Sequence, residues 1–258
     1  MIEQKAEIIF NRKVASDTFL MGLRASDIVA EAAPGQFVMI RVSPELDPIL
    51  RRPFSICGTQ EGDMLLVLYR VIGKGTRILA GVGQGETLSV LGPLGTGFKF
   101  PEKGQKAILV SGGIGIAPLI FLAQKMKDRE MKFLSGYRSV KEMVPIEWAG
   151  LSGINDSIST DDGTMGHKGP VTDLFEAAID EFRGGAFVFS CGPLPMLKKV
   201  AEITLERGIS CQVSVETHMA CGLGACQGCA VKSSFHEDRT YFHVCQDGPV
   251  FDARSLDW

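Results

Sequence analysis

Several absences in the sequence exclude whole classes of protein. No apolar run approaches the ~18 residues that a membrane-spanning helix requires. The opening stretch, MIEQKAEIIFNRK, lacks the apolar core of a secretory signal peptide. Basic residues are not in excess, because 27 Lys and Arg stand against 30 Asp and Glu, so nucleic acid is not an expected partner. We therefore expect a cytoplasmic protein that contacts neither membrane nor nucleic acid.

Two residue types are present in informative ways. The seven cysteines are an odd number and accompany no secretion signal, so a framework of disulfides explains them poorly. The 30 glycines fall partly in short clusters, which indicates tight backbone turns such as those of phosphate-binding loops. The remaining composition, 45% hydrophobic and 22% charged, is that of an ordinary globular chain.

The first region of the chain, residues 1–100, is predicted to be built from strands. Short apolar or alternating runs, such as 36–42 and 64–71, are separated by turn signals rich in glycine. Many short strands at regular spacing are typical of an antiparallel barrel or sandwich. The only helical pattern that we identify there is a short one at 76–80.

The pattern changes in residues 101–208, where short buried strands alternate with amphipathic helices. This alternation predicts a parallel α/β sheet. The helices are expected at 116–129, 172–182 and 196–207. Residues 209–258 are rich in cysteine and glycine and are assigned to a third, small module.

The strongest motif is CGLGACQGC followed by a fourth cysteine. Cys221, Cys226, Cys229 and Cys245 have the spacing C-x4-C-x2-C-x15-C. Thiolates ligate iron–sulfur clusters, and this opening spacing is that of plant-type [2Fe–2S] proteins. A structural zinc site is the alternative, but zinc favours paired C-x2–4-C knuckles and only one C-x2-C pair exists. The three other cysteines are interpreted as small buried hydrophobic residues.

Two segments of the first region indicate a flavin dinucleotide. The run RPFSI offers an arginine for a diphosphate and a serine for a ring edge. The run YRVIGKGT adds an aromatic ring, a second arginine and a glycine loop whose N–H groups can bind pyrophosphate. The alternative is that the arginines are solvated surface charges and that the glycines only form a hairpin turn.

Two loops of the second region lie where a predicted strand meets a predicted helix. They contain SGGIGIAP, with Gly112, Gly113 and Gly115, and CGP, with Cys191, Gly192 and Pro193. Backbone N–H groups in this position bind nucleotide pyrophosphate, although the standard G-x-G-x-x-G fingerprint is absent. Two such loops outline one ligand crevice, whereas simple structural turns remain the alternative for either loop.

Taken in order, these motifs resemble the ferredoxin–NADP reductase superfamily over essentially the whole chain. Within it, the segments CQDGPVF and DDGTMGHKGPVTDLF are most similar to the electron-transfer subunits of type B dihydroorotate dehydrogenases. The resemblance implies a multi-domain β and α/β protein. Its parts would be an antiparallel flavin-binding β-barrel in 1–100, a parallel α/β nicotinamide-binding domain in 101–208 and a [2Fe–2S] module in 209–258.

The resemblance also implies which residues contact each cofactor. FAD would contact three segments: Arg52, Pro53, Phe54 and Ser55; Tyr69, Arg70 and Val71; Gly75 and Thr76. NAD would lie across the two strand–helix loops, and the four cysteines named above would hold the cluster. An FMN-containing catalytic subunit would oxidise dihydroorotate and form a two-plus-two heterotetramer with this chain. Since the chain positions cofactors, no catalytic acid or base is expected in it.

The residues themselves are compatible with other functions. The chain could instead serve an NAD(P)H–ferredoxin transhydrogenase or a soluble hydrogenase, or act as a non-catalytic redox sensor. Arg138, Ser139 and Lys141 could bind the 2′-phosphate of NADP or form a solvated loop, and the resemblance favours NAD. The surface around the cysteine loop, with Lys232, is expected to dock the partner. Its apolar part would comprise Met219, Leu223 and Phe235, which could equally pack inside the small module.

Overall fold

The structure is a computed structural model, and it describes residues 1–102, 104–151, 154–182, 185–235 and 240–258. Within these ranges, no helix is both long and apolar enough to cross a membrane.

Six antiparallel strands close into a barrel in the first part of the chain, in the order β1-β2-β5-β4-β3-β6. The strands are β1 (Ile2–Ala15), β2 (Thr18–Arg24), β3 (Phe37–Arg41), β4 (Arg52–Gln60), β5 (Met64–Arg70) and β6 (Thr87–Leu94). Alternate apolar side chains, such as Met21, Val38 and Val67, are fully buried inside. The antiparallel barrel expected from the sequence is confirmed.

Two short helices accompany the barrel, α1 (Ser26–Glu31) and α2 (Lys74–Gly81). The pattern at 76–80 predicted α2, and the Thr76 hydroxyl oxygen accepts hydrogen bonds from the N–H groups of Ile72 and Gly73 at its start. The prediction missed α1, because six residues are too few to show a helical period. Ile28 of α1 is nevertheless fully buried against the barrel.

The second part of the chain forms a seven-stranded sheet flanked by helices, in the order β10-β9-β8-β7-β11-β12-β15. All pairs are parallel except β12 with β15. The strands of this sheet are β7 (Lys106–Gly112), β8 (Met131–Tyr137), β9 (Asn155–Thr160), β10 (His167–Lys168), β11 (Ala186–Cys191), β12 (Cys211–Ser214) and β15 (Val250–Asp252). Two further strands, β13 (Ala230–Lys232) and β14 (Tyr241–His243), form a separate antiparallel pair. The helices are α3 (Ile116–Lys125), α4 (Val171–Glu181), α5 (Leu194–Glu206) and α6 (Val244–Asp247).

Helix α3 is four residues shorter than the predicted 116–129. The last buried residue of its apolar stripe is Met126, whose N–H group bonds to the carbonyl of Ala123 as the helix ends. The residues that follow are mostly charged, so a longer helix would bury nothing more. Helix α5 begins two residues earlier than predicted, because Pro195 is tolerated in the first helical turn.

The small module is not a separate unit at the end of the chain. Strand β12 pairs with β11, and β15 returns to pair with β12, so both ends of the module belong to the large sheet. Between them lie the cysteine loop, the β13–β14 hairpin and α6. One apolar cluster joins Met39 of the barrel, Val188 of the sheet and Val244 of the module. The three parts therefore share a continuous core.

Candidate functional site

The structure brings the four motif cysteines together in the loop between β12 and β13 and at α6. The Sγ atoms of Cys229 and Cys245 lie 3.3 Å apart, although the two residues are sixteen positions apart in the chain. Both of these side chains are buried, Cys221 is partly buried and Cys226 is exposed. One face of the site therefore lies inside the protein and the other is open to a partner.

Backbone N–H groups point at the cysteine sulfurs. The Sγ atom of Cys221 accepts from Leu223 at 3.3 Å and from Cys226 at 3.4 Å, while that of Cys245 accepts from Gly224 at 3.1 Å. Burial disfavours the Cys221 thiolate, but the donated hydrogen bonds outweigh it and lower the pKa of this thiol to about 7. Burial, with the neighbouring Cys229 thiol, raises the pKa of Cys245 to about 12.

The loop conformation that aims these donors requires glycine. Gly222 and Gly224 have φ values of +72° and +77°, in the left-handed region that other residues rarely adopt. A Cβ atom on Gly222 would lie 2.7 Å from Cγ of Met39, and one on Gly224 would lie 2.3 Å from Oε1 of Gln246. At Gly228 a Cβ atom would meet only an ordinary contact with Cys226. Gly222 and Gly224 thus allow the loop to pack directly against Met39 and Gln246.

This arrangement fits a two-iron cluster better than a single metal ion. A structural zinc ion takes four ligands, usually from paired C-x2–4-C knuckles, whereas four cysteines shared by two irons supply two to each. The close pair Cys229 and Cys245, with backbone donors on the sulfurs, is consistent with the second arrangement.

The two flavin motifs meet at one end of the barrel. Arg52 begins β4, and its side chain packs over Gly75 of α2, where a Cβ atom would lie 2.9 Å from the arginine Nε. Gly75 and Thr76 are buried beneath it. An arginine over the N-terminus of a helix forms a site for a diphosphate, because the guanidinium and the free N–H groups both favour negative charge.

The predicted flavin residues face two directions. Phe54 and Tyr69 point into the barrel, where the Tyr69 hydroxyl donates to Oδ1 of Asn11 at 2.9 Å. The Tyr69 side chain is only 1% exposed, and burial raises its pKa to about 12. The Tyr69 ring therefore lies among the core residues of the barrel, and its contact with the flavin stays a prediction. Pro53, Ser55 and Val71 are partly buried and remain accessible.

Arg70 faces the α/β domain and not the barrel interior. Its Nη2 atom donates to Oε1 of Glu142 at 2.7 Å, and both side chains are largely shielded from water. The neighbouring carbonyl of Lys141 accepts a hydrogen bond from the Ser16 N–H group of the barrel. The short 3-10 helix Val140–Glu142 therefore ties the two domains together. Lys141, a candidate phosphate ligand, belongs to this helix.

The two strand–helix loops line one cavity of about 620 Å³. A Cβ atom on Gly115 would lie 2.4 Å from the carbonyl oxygen of Cys191, and one on Gly112 would lie 2.6 Å from Cδ of Pro193. Gly113 has a φ of +55°. Only glycine lets the loops approach so closely. Loops between a strand and a helix bind pyrophosphate through backbone N–H groups, so this cavity is a candidate site for one.

The cavity also contains residues that the sequence analysis did not single out. Glu216, just after β12, is open to water in a concave part of the site, where surrounding protein atoms raise its carboxyl pKa. Glu142 and Asp161 line the same cavity, together with Arg138, which the sequence analysis did name. Cys191 is different, since its side chain is fully buried beneath the loops. Asp161 directly follows β9 and Glu216 comes soon after β12, whereas Glu142 ends the short 3-10 helix Val140–Glu142.

Comparisons with known proteins agree with this geometry. The family model for the iron–sulfur cluster binding domain of dihydroorotate dehydrogenase B matches residues 216–257. A dihydroorotate dehydrogenase B (NAD(+)) electron transfer subunit from Caldanaerobacter subterraneus subsp. tengcongensis is 37% identical over 254 residues, covering 98% of each chain. The subunit of the same description from Desulforamulus reducens is also 37% identical, over 98% of this chain and 97% of its own.

A solved structure of an NADH-dependent reduced ferredoxin–NADP oxidoreductase is similar over nearly the same length. It has a TM-score of 0.86 and 30% identity, and the match covers 98% of this chain and 90% of that one. The barrel, the α/β sheet and the cysteine module thus occur together in a known reductase. The resemblance stated from the motifs is confirmed, and the chain belongs to the family of dihydroorotate dehydrogenase B electron transfer subunits.

Proposed function

We propose that this chain takes electrons from a catalytic subunit that oxidises dihydroorotate and delivers them to NAD+, with a [2Fe–2S] cluster and FAD as its bound carriers. FAD exchanges electron pairs with nicotinamide and single electrons with an iron–sulfur cluster. The partner would contain FMN, and two copies of each subunit would form a heterotetramer. These assignments extend to this chain what the names of its relatives state.

The cysteine loop has one task in this proposal, which is to hold the cluster and stabilise its negative charge. Cys221, Cys226, Cys229 and Cys245 would be the ligands. The N–H groups of Leu223 and Gly224, already directed at sulfur, would donate to the bound group. The exposed Cys226 would lie on the side that faces the partner.

The barrel and the α/β domain have the complementary task of holding the flavin and the nicotinamide dinucleotide. Arg52, Gly75 and Thr76 would bind the FAD diphosphate, and the backbone and outer face of β4 and β5 would border its ring. Gly112 to Gly115, with Gly192 and Pro193, would hold the nicotinamide pyrophosphate. Glu216 would accept a hydrogen bond from the nucleotide in the same cavity.

One contact carries the proposal, namely that between the cysteine loop and the barrel. Gly222 lies so close to Met39 of β3 that no Cβ atom fits between them. Met39 is the ladder partner of Pro53 in the RPFSI motif. The cysteine loop and the flavin motif are therefore one strand apart, which favours transfer of single electrons between groups bound there.

Reconstitution tests the proposal. The purified chain, loaded anaerobically with iron, sulfide and FAD, should oxidise NADH with ferricyanide as acceptor and leave dihydroorotate unchanged. Addition of the catalytic subunit should start dihydroorotate-dependent reduction of NAD+. Iron, sulfide and flavin contents provide a readout that needs no turnover. Oxidation of dihydroorotate by the chain without its partner would contradict the proposal, as would a preparation that binds neither group.

A second candidate function is supported by the likeness to the ferredoxin–NADP oxidoreductase structure. In that case the chain would serve a transhydrogenase whose second subunit carries [4Fe–4S] clusters. Co-purification from the native source separates the two candidates. A stable complex with an FMN subunit supports the first, whereas one with a [4Fe–4S] subunit and no dihydroorotate turnover supports the second.

A further inference from the structure

Strand β3 lies between the interior of the barrel and the cysteine module. Its side chains alternate between two faces, as those of any strand do. Val38 and Ile40 belong to the apolar cluster inside the barrel. Phe37 and Met39 belong instead to the cluster that contains the motif cysteine Cys245. The outer face of β3 is therefore a surface of the barrel on which the cysteine module packs.

Met39 makes a close contact across this surface. A Cβ atom on Gly222 would lie 2.7 Å from Cγ, 3.0 Å from Sδ and 3.4 Å from Cε of Met39, so the methionine side chain lies along the glycine. Met39 is fully buried. Gly222 directly follows Cys221, whose Sγ atom accepts from the N–H group of Leu223 at 3.3 Å. The thioether thus packs directly beside the site predicted for the cluster.

The flavin motif is the neighbour of Met39 on the next strand. In the antiparallel ladder of β3 and β4, Met39 is opposite Pro53, and Phe37 is opposite Ser55. Side chains that face each other in such a ladder have Cβ atoms about 4.5–5.5 Å apart. Pro53 and Ser55 are partly exposed, whereas Met39 is not. Met39 therefore has the cysteine loop on one side and predicted flavin contacts on the other.

A second contact fixes the module against the same part of the barrel. The Thr96 N–H group donates to the carbonyl of Gly248, and Thr96 also forms a bridge with Pro249. A Cβ atom on Gly95 would lie 2.6 Å from the same carbonyl oxygen. These barrel residues follow β6, which pairs with β3. Because the module is held at two places, it cannot shift freely to fill a space left at Met39.

We propose that Met39 couples the cluster to the flavin, by filling with packed atoms the space that electrons cross between the cysteine loop and β4. This inference rests on the proposed function and names a positioning residue for its internal electron transfer. Tunnelling weakens more steeply across an empty gap than through packed atoms. Each electron from the partner reduces the cluster and then leaves it across Met39 to FAD. Two such electrons, with one proton from water, go on to NAD+ as a hydride.

Rapid mixing of the loaded chain with NADH tests the inference without the catalytic subunit. NADH gives an electron pair to FAD, and the cluster then takes one of the two electrons while the other stays on the flavin. The absorbance of the cluster reports the rate of this step. Met39→Val, which removes Sδ and Cε, should slow cluster reduction about tenfold. Met39→Leu, which fills most of the same space, should remain within twofold of the wild type.

Met64→Val is the matched control. Met64 is also buried, and a Cβ atom on Gly22 would lie 2.9 Å from its Sδ atom, but Met64 belongs to a different apolar cluster. The control should lose a similar amount of unfolding free energy and keep the wild-type rate of cluster reduction. Iron and sulfide contents, with the electron paramagnetic resonance spectrum of the dithionite-reduced cluster, need no turnover and should be unchanged in all three variants.

A fully loaded Met39→Val protein with the wild-type rate of cluster reduction overturns the inference, as does equal slowing in Met39→Leu. Loss of iron from both variants would show that Met39 only supports the loop, and it overturns the inference as well. If Met39→Val alone loses iron, Met39→Ile, which restores one methyl group, replaces it in the comparison. A wild type that binds no cluster, or whose cluster NADH does not reduce, instead overturns the proposed function, so the two failures are distinguishable.

Discussion

The exposed Cys226 offers a direct test of the cysteine ligands, because its replacement removes a thiolate without opening a hole in the core. For Cys226→Ser we expect the iron and sulfide content to fall by more than half while FAD is retained. NADH oxidation with ferricyanide should persist, and electron transfer from the catalytic subunit should fall at least a hundredfold. Cys211→Ala, which alters a buried cysteine outside the motif, serves as the control. Unchanged iron content in the Ser variant would falsify the ligand assignment.

Substitution of Tyr69 tests whether its hydroxyl stabilises the barrel core or contacts the flavin. Tyr69→Phe removes the hydrogen bond to Asn11 and should cost about 1 kcal/mol of unfolding free energy. Flavin affinity should not change, since the ring lies inside the barrel. Denaturant unfolding and flavin titration measure the two quantities. Loss of flavin affinity at constant stability would place the hydroxyl at the cofactor instead.

The same residue predicts a dependence of stability on alkaline pH. Burial raises the Tyr69 pKa to about 12, above the usual ~10 of the unfolded chain. The unfolded state therefore releases its proton first, so the stabilisation is complete below about pH 10 and is lost as the pH rises toward 12. The wild type should lose more unfolding free energy than Tyr69→Phe between pH 9 and pH 11. Equal losses would contradict the burial of the hydroxyl.

Single residues also show where sequence reasoning succeeds. The four cysteines are recognisable because the ligand spacing is largely local, with three of them within nine positions. Asp161, Glu142 and Glu216 carry no such pattern. Their roles depend on which strand ends meet at the cavity, and strand order is a long-range property that spacing does not encode.

At the level of elements, the cysteine loop can be tested through its glycines. Gly222→Ala should destabilise the protein by more than Gly62→Ala, although the two φ values, +72° and +77°, are nearly equal. The Cβ atom of Gly62→Ala, the control, has no neighbour within 4 Å, whereas that of Gly222→Ala would collide with Met39. The backbone strain of an alanine at positive φ costs about 1 kcal/mol in either variant. Any further loss of unfolding free energy in Gly222→Ala therefore measures how tightly the loop packs on the barrel.

A second substitution checks this explanation. Met39→Ala on its own should destabilise the protein by about 2–5 kcal/mol, because Met39 is fully buried. Adding Gly222→Ala to that variant should then cost less unfolding free energy than adding it to the wild type, because space has been made for the new methyl group. Equal costs of Gly222→Ala in the two backgrounds would show that the loop does not depend on its contact with β3.

The elements show a similar division between local and distant information. Helices α3, α4 and α5 follow from apolar periodicity, and their ends shift by only a few residues where a charged run or a proline intervenes. Strands β12 and β15 are each four residues or shorter and lie in the region assigned to the small module. They belong to the large sheet because β12 pairs with β11 and β15 pairs with β12. Pairing between distant segments cannot be predicted from a local sequence pattern.

For the molecule as a whole, the ion pair between Arg70 and Glu142 is expected to hold the barrel to the α/β domain. Glu142→Gln should lower the unfolding free energy by about 1–3 kcal/mol, because it leaves a largely shielded guanidinium without its partner. Glu130→Gln removes an exposed pair with Lys106 and should change it by less than about 0.5 kcal/mol. Chemical denaturation followed by fluorescence compares the two. Equal, negligible effects would rule out a domain clamp.

Assembly with the catalytic subunit belongs to the same scale. Leu223 and Phe235 are 46% and 53% exposed beside the cysteine loop, while Met219 packs against the core. If this face docks the partner, Lys232→Glu should weaken the complex about tenfold, chiefly by slowing association, because Lys232 is an exposed charge. Lys13→Glu, on the barrel, is the charge-matched control. Identical association rates for both variants and the wild type would place the interface elsewhere.

The return of β15 to the large sheet has a consequence for how electrons leave and enter. A redox module attached by one flexible tether can swing between a donor and an acceptor. Here β12, before the cysteine loop, and β15, after it, both pair within the large sheet. The module is therefore held at both ends and cannot move as a tethered unit. Electron exchange with another protein must then occur by docking of that protein at a fixed surface. Removal of the C-terminal residues that form β15 would disrupt both the edge of the sheet and this surface.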